Sequence, residues 1–246
     1  MKKVLFIMSA LTLGLVGCGG NDIKNNPLVA EWNTPYQTPP FSEIKLEHYE
    51  PAIDYAIELN RAEIDAIINN PEAPTFENTI VAMEQAGELL GRVTGVFFVL
   101  NNCSTSEQMQ QIALNITPKL TELSNDVALN PELFARVKAV YDQRESLNLD
   151  AEDSMLLENT YKGFARSGAL LEGEAQELYR QYTTELSQLT LAFGQNALAA
   201  TNAFTLNITD EAKVAELPDF VKEGLAAEAA APGEQGWTVT LPAPSY

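Results

Sequence analysis

Histidine is nearly absent from this 246-residue chain, which contains only His48. The H-E-x-x-H zinc motif places two histidines one helical turn apart, so that both rings reach the same metal ion. A di-metal carboxylate bundle likewise takes a histidine from each of two helices. One histidine therefore excludes both kinds of site from this sequence. His48 stands beside Glu47 and just before Pro51, at the predicted start of a helix, where we expect a surface or capping role.

Cysteine is almost as scarce, with Cys18 and Cys103 the two examples. Cys18 falls in a targeting signal described below, which leaves Cys103 alone. A single remaining cysteine can form neither an intramolecular disulfide framework nor a multi-cysteine metal site. No candidate base lies near Cys103 in the sequence, so we expect it to be a buried, small apolar residue rather than a nucleophile.

Basic residues are few: 15 Lys and Arg stand against 34 Asp and Glu, for a net charge of −19. Such a field repels phosphate backbones, and we therefore expect no nucleic-acid partner. The sequence has no glycine-rich phosphate loop and no spaced calcium loop. Ser42 and Lys45 match the S-x-x-K pattern of some serine enzymes, but the companion S-D-N and K-T-G segments are missing. We therefore assign no catalytic residue and no metal ligand.

The N-terminus has the pattern of an export signal. Lys2 and Lys3 precede an apolar run, Val4–Val16, that is too short for a membrane span, and small residues lead to a cysteine at Leu15–Cys18. This order resembles the bacterial lipobox, in which the cysteine becomes the lipidated first residue. An ordinary signal peptide cleaved near residues 19–20 is the alternative.

We therefore predict a lipoprotein signal peptide over residues 1–17, with Cys18 as the lipidation site. The chain would then be anchored in the cell envelope, facing the periplasm. Loss of Lys2 and Lys3 with the signal would change the net charge from −19 to −21. Residues 18–42, rich in Gly, Asn, Pro and Thr, are predicted to form a tether and an extended lead-in.

Apolar residues recur at helical spacing from Ile53 to Ala200, which predicts a mainly α, multi-helix domain over residues 43–202. One helix is predicted to run from Ile80 through Phe97, and Pro118 should kink another long helix. Helix ends are predicted from local chemistry at a capping box (Ser104–Glu107), Asn130–Pro131, Asp150 and Gly168. The longest helix carries an apolar stripe that we expect to be core: Tyr179, Tyr182, Leu186, Leu189, Phe193, Ala197 and Ala200.

Residues 203–246 change character and are predicted to form the start of a small, incomplete β-containing segment. A strand over residues 203–209 is followed by a short helix at Asp210, a second helix, and a strand at Trp237–Leu241. We expect each strand to present an unpaired edge, which would make residues 201–236 the first to be cut by a protease. The first edge would carry Phe204, Leu206 and Ile208, and the second Trp237, Val239 and Leu241.

Several short stretches, in order and at consistent spacing, resemble one family. They are Pro39–Phe41, Ile44–Lys45, Glu47–Ala52, Thr75–Thr79, Arg166–Gly168, Phe193 with Asn196, Ala200–Phe204, Thr209–Ala212, Leu217–Pro218, Gly236–Trp237 and Pro244–Tyr246. From about residue 27 onward the chain is similar to the N-terminal part of the thimet-oligopeptidase and peptidyl-dipeptidase family of zinc metallopeptidases. Within that family it looks most like the bacterial peptidyl-dipeptidase and oligopeptidase A branch.

The resemblance implies a mostly helical fold whose two portions flank a deep channel for short peptides. In the family the zinc ligands and the catalytic glutamate lie in the C-terminal portion, so no catalytic residue is carried onto this chain. Zinc is expected for the full-length family member and no cofactor for this chain. The expected partners are short peptides, a C-terminal catalytic portion and, through the lipid anchor, a membrane.

Three interpretations follow from the sequence. The first is the non-catalytic helical part of a truncated or split oligopeptidase, forming one wall of the substrate channel and inactive alone. The second is a complete helical lipoprotein that binds peptides or a protein partner without catalysis. The third is a structural scaffold.

Overall fold

A computed structural model describes residues 23–241, and the predicted signal peptide with Cys18 lies outside this range. Helices dominate, as the sequence predicted, and the strands form a small two-stranded sheet near the C-terminal end. The elements are α1 (Tyr49–Ile68), α2 (Ala82–Gln85), α3 (Glu88–Cys103), α4 (Glu107–Ala128), α5 (Pro131–Asp142), α6 (Ala151–Arg166), α7 (Glu174–Ala203), β1 (Thr205–Ile208), α8 (Asp219–Ala230) and β2 (Trp237–Thr240).

Over the described residues the chain divides into two compact units, 23–181 and 182–241, with the boundary inside α7. In the first unit α1 packs against α3 and α4, while α5 packs against α6. Phe97 is fully buried there and meets Tyr49 edge-to-face, with ring centroids 5.1 Å apart. Burial raises the pKa of Tyr49 above its ordinary value. Removal of such rings from water, at about 25 cal/mol per Å² of apolar area, is the main force holding the helices together.

Three helix ends follow the predicted local chemistry. Asn130 accepts hydrogen bonds from the first backbone N–H groups of α5, and Pro131 occupies its first position. Asp150 caps α6 through the N–H of Asp153 at 2.9 Å. After α6, Gly168 takes a φ of +90°, and the N–H of the next residue donates to the carbonyl of Phe164, as in a Schellman motif.

Two local predictions were wrong. The cap of α4 is Ser106, whose hydroxyl accepts the N–H of Met109 at 3.2 Å, and not the predicted Ser104. The predicted helix from Ile80 through Phe97 is broken at Gly87, which has a φ of +80°. The N–H of Gly87 donates to a carboxylate oxygen of Glu63 on α1 at 2.7 Å. Glycine adopts this left-handed φ without steric cost, and the contact with α1 holds the break in place.

Asp126 on α4 joins three helices of the first unit. Its carboxylate oxygens lie 2.6 Å from Arg61 on α1 and 2.7 Å from Arg180 on α7. Partial burial alone would raise the pKa of Asp126, but the hydrogen bonds and charges of the two guanidinium groups outweigh it and hold that pKa below its ordinary value. This bridge is therefore fully formed at neutral pH and is lost only as the carboxylate is protonated in acid.

In the second unit, β1 and β2 pair with each other in an antiparallel ladder, with Leu206 opposite Val239 and Ile208 opposite Trp237. The prediction of two unpaired strands was therefore wrong, because each strand satisfies one edge of the other. Val214 and Thr238 are almost fully buried, and α8 packs against β2. The short helix after Asp210 is present as a 3-10 turn capped by that carboxylate.

Candidate functional site

The sequence-predicted site residues do not converge on a catalytic centre. His48 caps the short turn before α1: its Nδ1 accepts the N–H of Lys45 at 3.0 Å. This confirms the capping role. Ser42 is exposed, and the Lys45 side chain is 72% exposed and lies 3.8 Å from Glu47, so this pair does not form an enclosed nucleophile site. Cys103 is exposed, which contradicts its predicted burial.

Within residues 23–241, no group of three or more His, Cys, Asp or Glu side chains is positioned to hold a metal ion. Across the same range, no helix is both long and apolar enough to cross a bilayer. The two features that remain as candidates are an open cavity in the first unit and an exposed apolar face in the second.

The cavity has a volume of about 450 Å³ and lies among helices of the first unit. Its wall is mainly apolar and includes Leu90, Leu123 and Phe164, with Asn60 and Thr160 among the few polar groups. An uncharged apolar group would fit such a wall. The cavity has no titratable side chain in its lining, so it supplies neither an acid nor a base.

The second feature is one face of α7. Tyr182, Leu186, Leu189 and Phe193 follow one another at spacings of four, three and four, and between 59% and 76% of each residue is exposed. The prediction that this stripe is core was therefore wrong. Helical periodicity shows that a helix has an apolar face, but it does not show what covers that face. An exposed set of this size is typical of an interaction surface. We call these four residues the α7 face.

Comparison with characterised proteins accounts for the peptidase-like motifs in the sequence. The chain is 42% identical over 220 residues to dipeptidyl carboxypeptidase of Escherichia coli strain K12, which covers 88% of this chain and 32% of that protein. Its homologues are peptidases. Oligopeptidase A of Salmonella typhimurium is 30% identical over 221 residues, covering 90% of this chain and 32% of its own length. Organellar oligopeptidase A of Arabidopsis thaliana is 25% identical over 232 residues.

These peptidases belong to the thimet-oligopeptidase type of metallopeptidase, so the resemblance inferred from the short motifs is confirmed at that level. The chain spans about a third of the length of the curated relatives it matches. No protein-family model matches it. The similarity covers 88% to 90% of the chain in these two matches and therefore includes residues of both units.

Proposed function

We propose that this chain is the non-catalytic helical part of a zinc-dependent oligopeptidase or peptidyl-dipeptidase, and that it forms one wall of a channel for short peptides. The observation that carries the proposal is the 42% identity over 220 residues to a dipeptidyl carboxypeptidase of which the match covers only 32%. In such a peptidase the zinc ligands and the catalytic base would lie outside the third of the enzyme that this chain matches.

The α7 face supports the same proposal. Four large apolar side chains that remain in water do not gain the stabilisation of about 25 cal/mol per Å² that burial would give them. In a larger peptidase they would gain this stabilisation if another part of the enzyme covered them. The chain has a net charge of −19, and this charge opposes aggregation through the α7 face before the rest of the enzyme covers it.

The direct test is complementation. The residues of the Escherichia coli relative outside its matched 220 residues would be expressed as a separate polypeptide and mixed with this chain. We expect zinc-dependent release of dipeptides from a short peptide in the mixture and none from this chain alone. Hydrolysis by the purified chain alone, lost in His48→Ala, would contradict the proposal, as would a mixture that neither associates in the ultracentrifuge nor cleaves peptide.

We also propose that Cys18 is acylated and anchors the chain in the cell envelope, facing the periplasm. The support is the lipobox-like order of Leu15–Cys18 after a basic start and a short apolar run. Two or more acyl chains on one cysteine are enough for stable membrane attachment, whereas one chain is not.

Replacing Cys18 should therefore release the protein from membranes. We expect Cys18→Ser to move the chain from the membrane fraction to the soluble fraction. Cys103→Ser is the matched control, because Cys103 is exposed on the folded body and its loss should leave the chain on the membrane. If the wild type and both variants fractionate alike, the acylation proposal is wrong.

A further inference from the structure

Residues 23–32 lie upstream of the first α-helix but are packed into the first unit. Leu28 is completely buried, and Asn26 is 8% exposed. The Nδ2 group of Asn26 donates to the carbonyl of His48 at 2.8 Å, and its Oδ1 accepts the N–H of Leu28 at 3.0 Å. A buried leucine beside a satisfied, buried amide is a feature of a folded body and not of a solvated tether.

Arg92 on α3 holds the same segment from the other side. Its guanidinium donates to the carbonyls of Leu28, Val29 and Ala30 at 3.3, 2.8 and 3.4 Å, and lies 4.7 Å from the ring centroid of Trp32. The indole N–H of Trp32 donates in turn to the carbonyl of Pro27 at 2.7 Å. Three carbonyls and an aromatic face on one cation make a fixed attachment, so the folded body begins close to Ile23.

Covalent geometry then limits the reach of the anchor. Only Gly19, Gly20, Asn21 and Asp22 separate Cys18 from Ile23. The five Cα–Cα steps from Cys18 to Ile23 span at most about 18 Å, since a chain extends no more than about 3.6 Å per residue. A tether reaching to residue 42 could have spanned about 85 Å on the same basis.

We propose, resting on the acylation of Cys18 proposed above, that the first unit is held directly against the bilayer, with the surface around Asn26 and His48 facing the lipid headgroups. The partner is the lipid surface into which the acyl chains of Cys18 insert. Position 45 belongs to this surface, because the N–H of Lys45 donates to His48 and the carbonyl of His48 accepts from Asn26.

Charge favours this orientation. Residues 23–48 carry two lysines and three glutamates, a net of −1, whereas the whole chain carries −19. Lys24 and Lys45 are both exposed. The Debye length at physiological ionic strength is about 8 Å, so the field of anionic headgroups acts mainly on the part of the body that lies closest to them. The nearly neutral N-terminal surface lies next to the headgroups at a lower electrostatic cost than the acidic remainder.

The test uses the acylated full-length chain in vesicles that contain a nitroxide-headgroup lipid, which quenches fluorophores only at short range. A fluorophore is placed at Lys45→Cys in a Cys103→Ser background, where the Cys18 thiol is blocked by acylation. We expect strong quenching with the native spacing. A 20-residue Gly/Ser insertion between Asp22 and Ile23 raises the root-mean-square reach to about 30 Å and should reduce quenching severalfold.

The same insertion placed after Leu241 is the control for added length and should leave quenching unchanged. Weak and equal quenching with and without the N-terminal insertion, while both proteins cosediment with vesicles, would overturn the inference and leave the acyl anchor intact. Failure of the uninserted chain to cosediment would overturn the anchor and the inference together.

Discussion

Replacing Gly236 by alanine should disrupt the β1–β2 sheet, while the same change at Gly233 should be tolerated. Both glycines have a left-handed backbone, with φ of +90° and +86°. A Cβ on Gly236 would stand 2.3 Å from the carbonyl oxygen of Ile208, whereas a Cβ on Gly233 would meet nothing within 4 Å. Alanine in this conformation costs about 1–2 kcal/mol at either position, and only Gly236 adds a clash with backbone atoms.

The clash cannot be relieved by a side-chain rotation. Ile208 is the β1 residue paired with Trp237, so moving its carbonyl separates the two strands at their first pair. We expect Gly236→Ala to accelerate limited proteolysis within residues 201–236 and to remove hydrogen-exchange protection from the β1 amides. Gly233→Ala should lower stability by only the backbone cost of about 1–2 kcal/mol. Equal protection in the two variants would show that the strands do not approach as closely as described.

Acidic substitutions on the α7 face should abolish assembly with the complementary part of the peptidase and leave the isolated chain stable. In the sequence alone, Leu189 and Phe193 looked like core positions, where a buried aspartate would unfold the domain. They are 59% and 76% exposed. The melting temperature of Leu189→Asp or Phe193→Asp should therefore be close to that of the wild type, because the new carboxylate stays in water.

In the assembled peptidase the same carboxylate would be buried without a partner, at a cost of several kcal/mol. Since 1.4 kcal/mol is a tenfold change in affinity, association and peptide cleavage in the complementation assay should fall by about 100-fold or more. Gln188→Asp is the matched control, because Gln188 is exposed, lies off this face and gains the same charge. A large loss of melting temperature, or equal association by all three variants, would show that the α7 face is not an assembly surface.

Local chemistry made much of the helical architecture predictable. Asn130, Asp150 and Gly168 end or begin helices in the structure as they do in the sequence, because a cap needs only a side chain or a backbone conformation within a few residues. The same holds for His48, whose ring nitrogen reaches a backbone N–H three residues away.

Predictions failed where a distant contact decides the outcome. At the break after α2, the N–H of Gly87 donates to Glu63 on α1, and this partner 24 positions away cannot be identified from the local sequence. The two strands, about 30 residues apart, had seemed unpaired because alternation shows a strand and not its partner. The mistaken burial of Cys103 has the same origin, since a residue type sets only an average tendency to be buried.

The sequence by itself determined that this chain is helical, acidic, related in motif to a peptidase, and unable to form an H-E-x-x-H site from its one histidine. These properties depend on composition, local capping and the period of apolar residues. Only the tertiary structure decided that the α7 stripe is exposed and that residues 23–32 belong to the folded body. Burial is a property of what lies opposite a side chain, and the segment's attachment likewise depends on a distant residue, because Arg92 binds the carbonyl of Leu28 from 64 positions away.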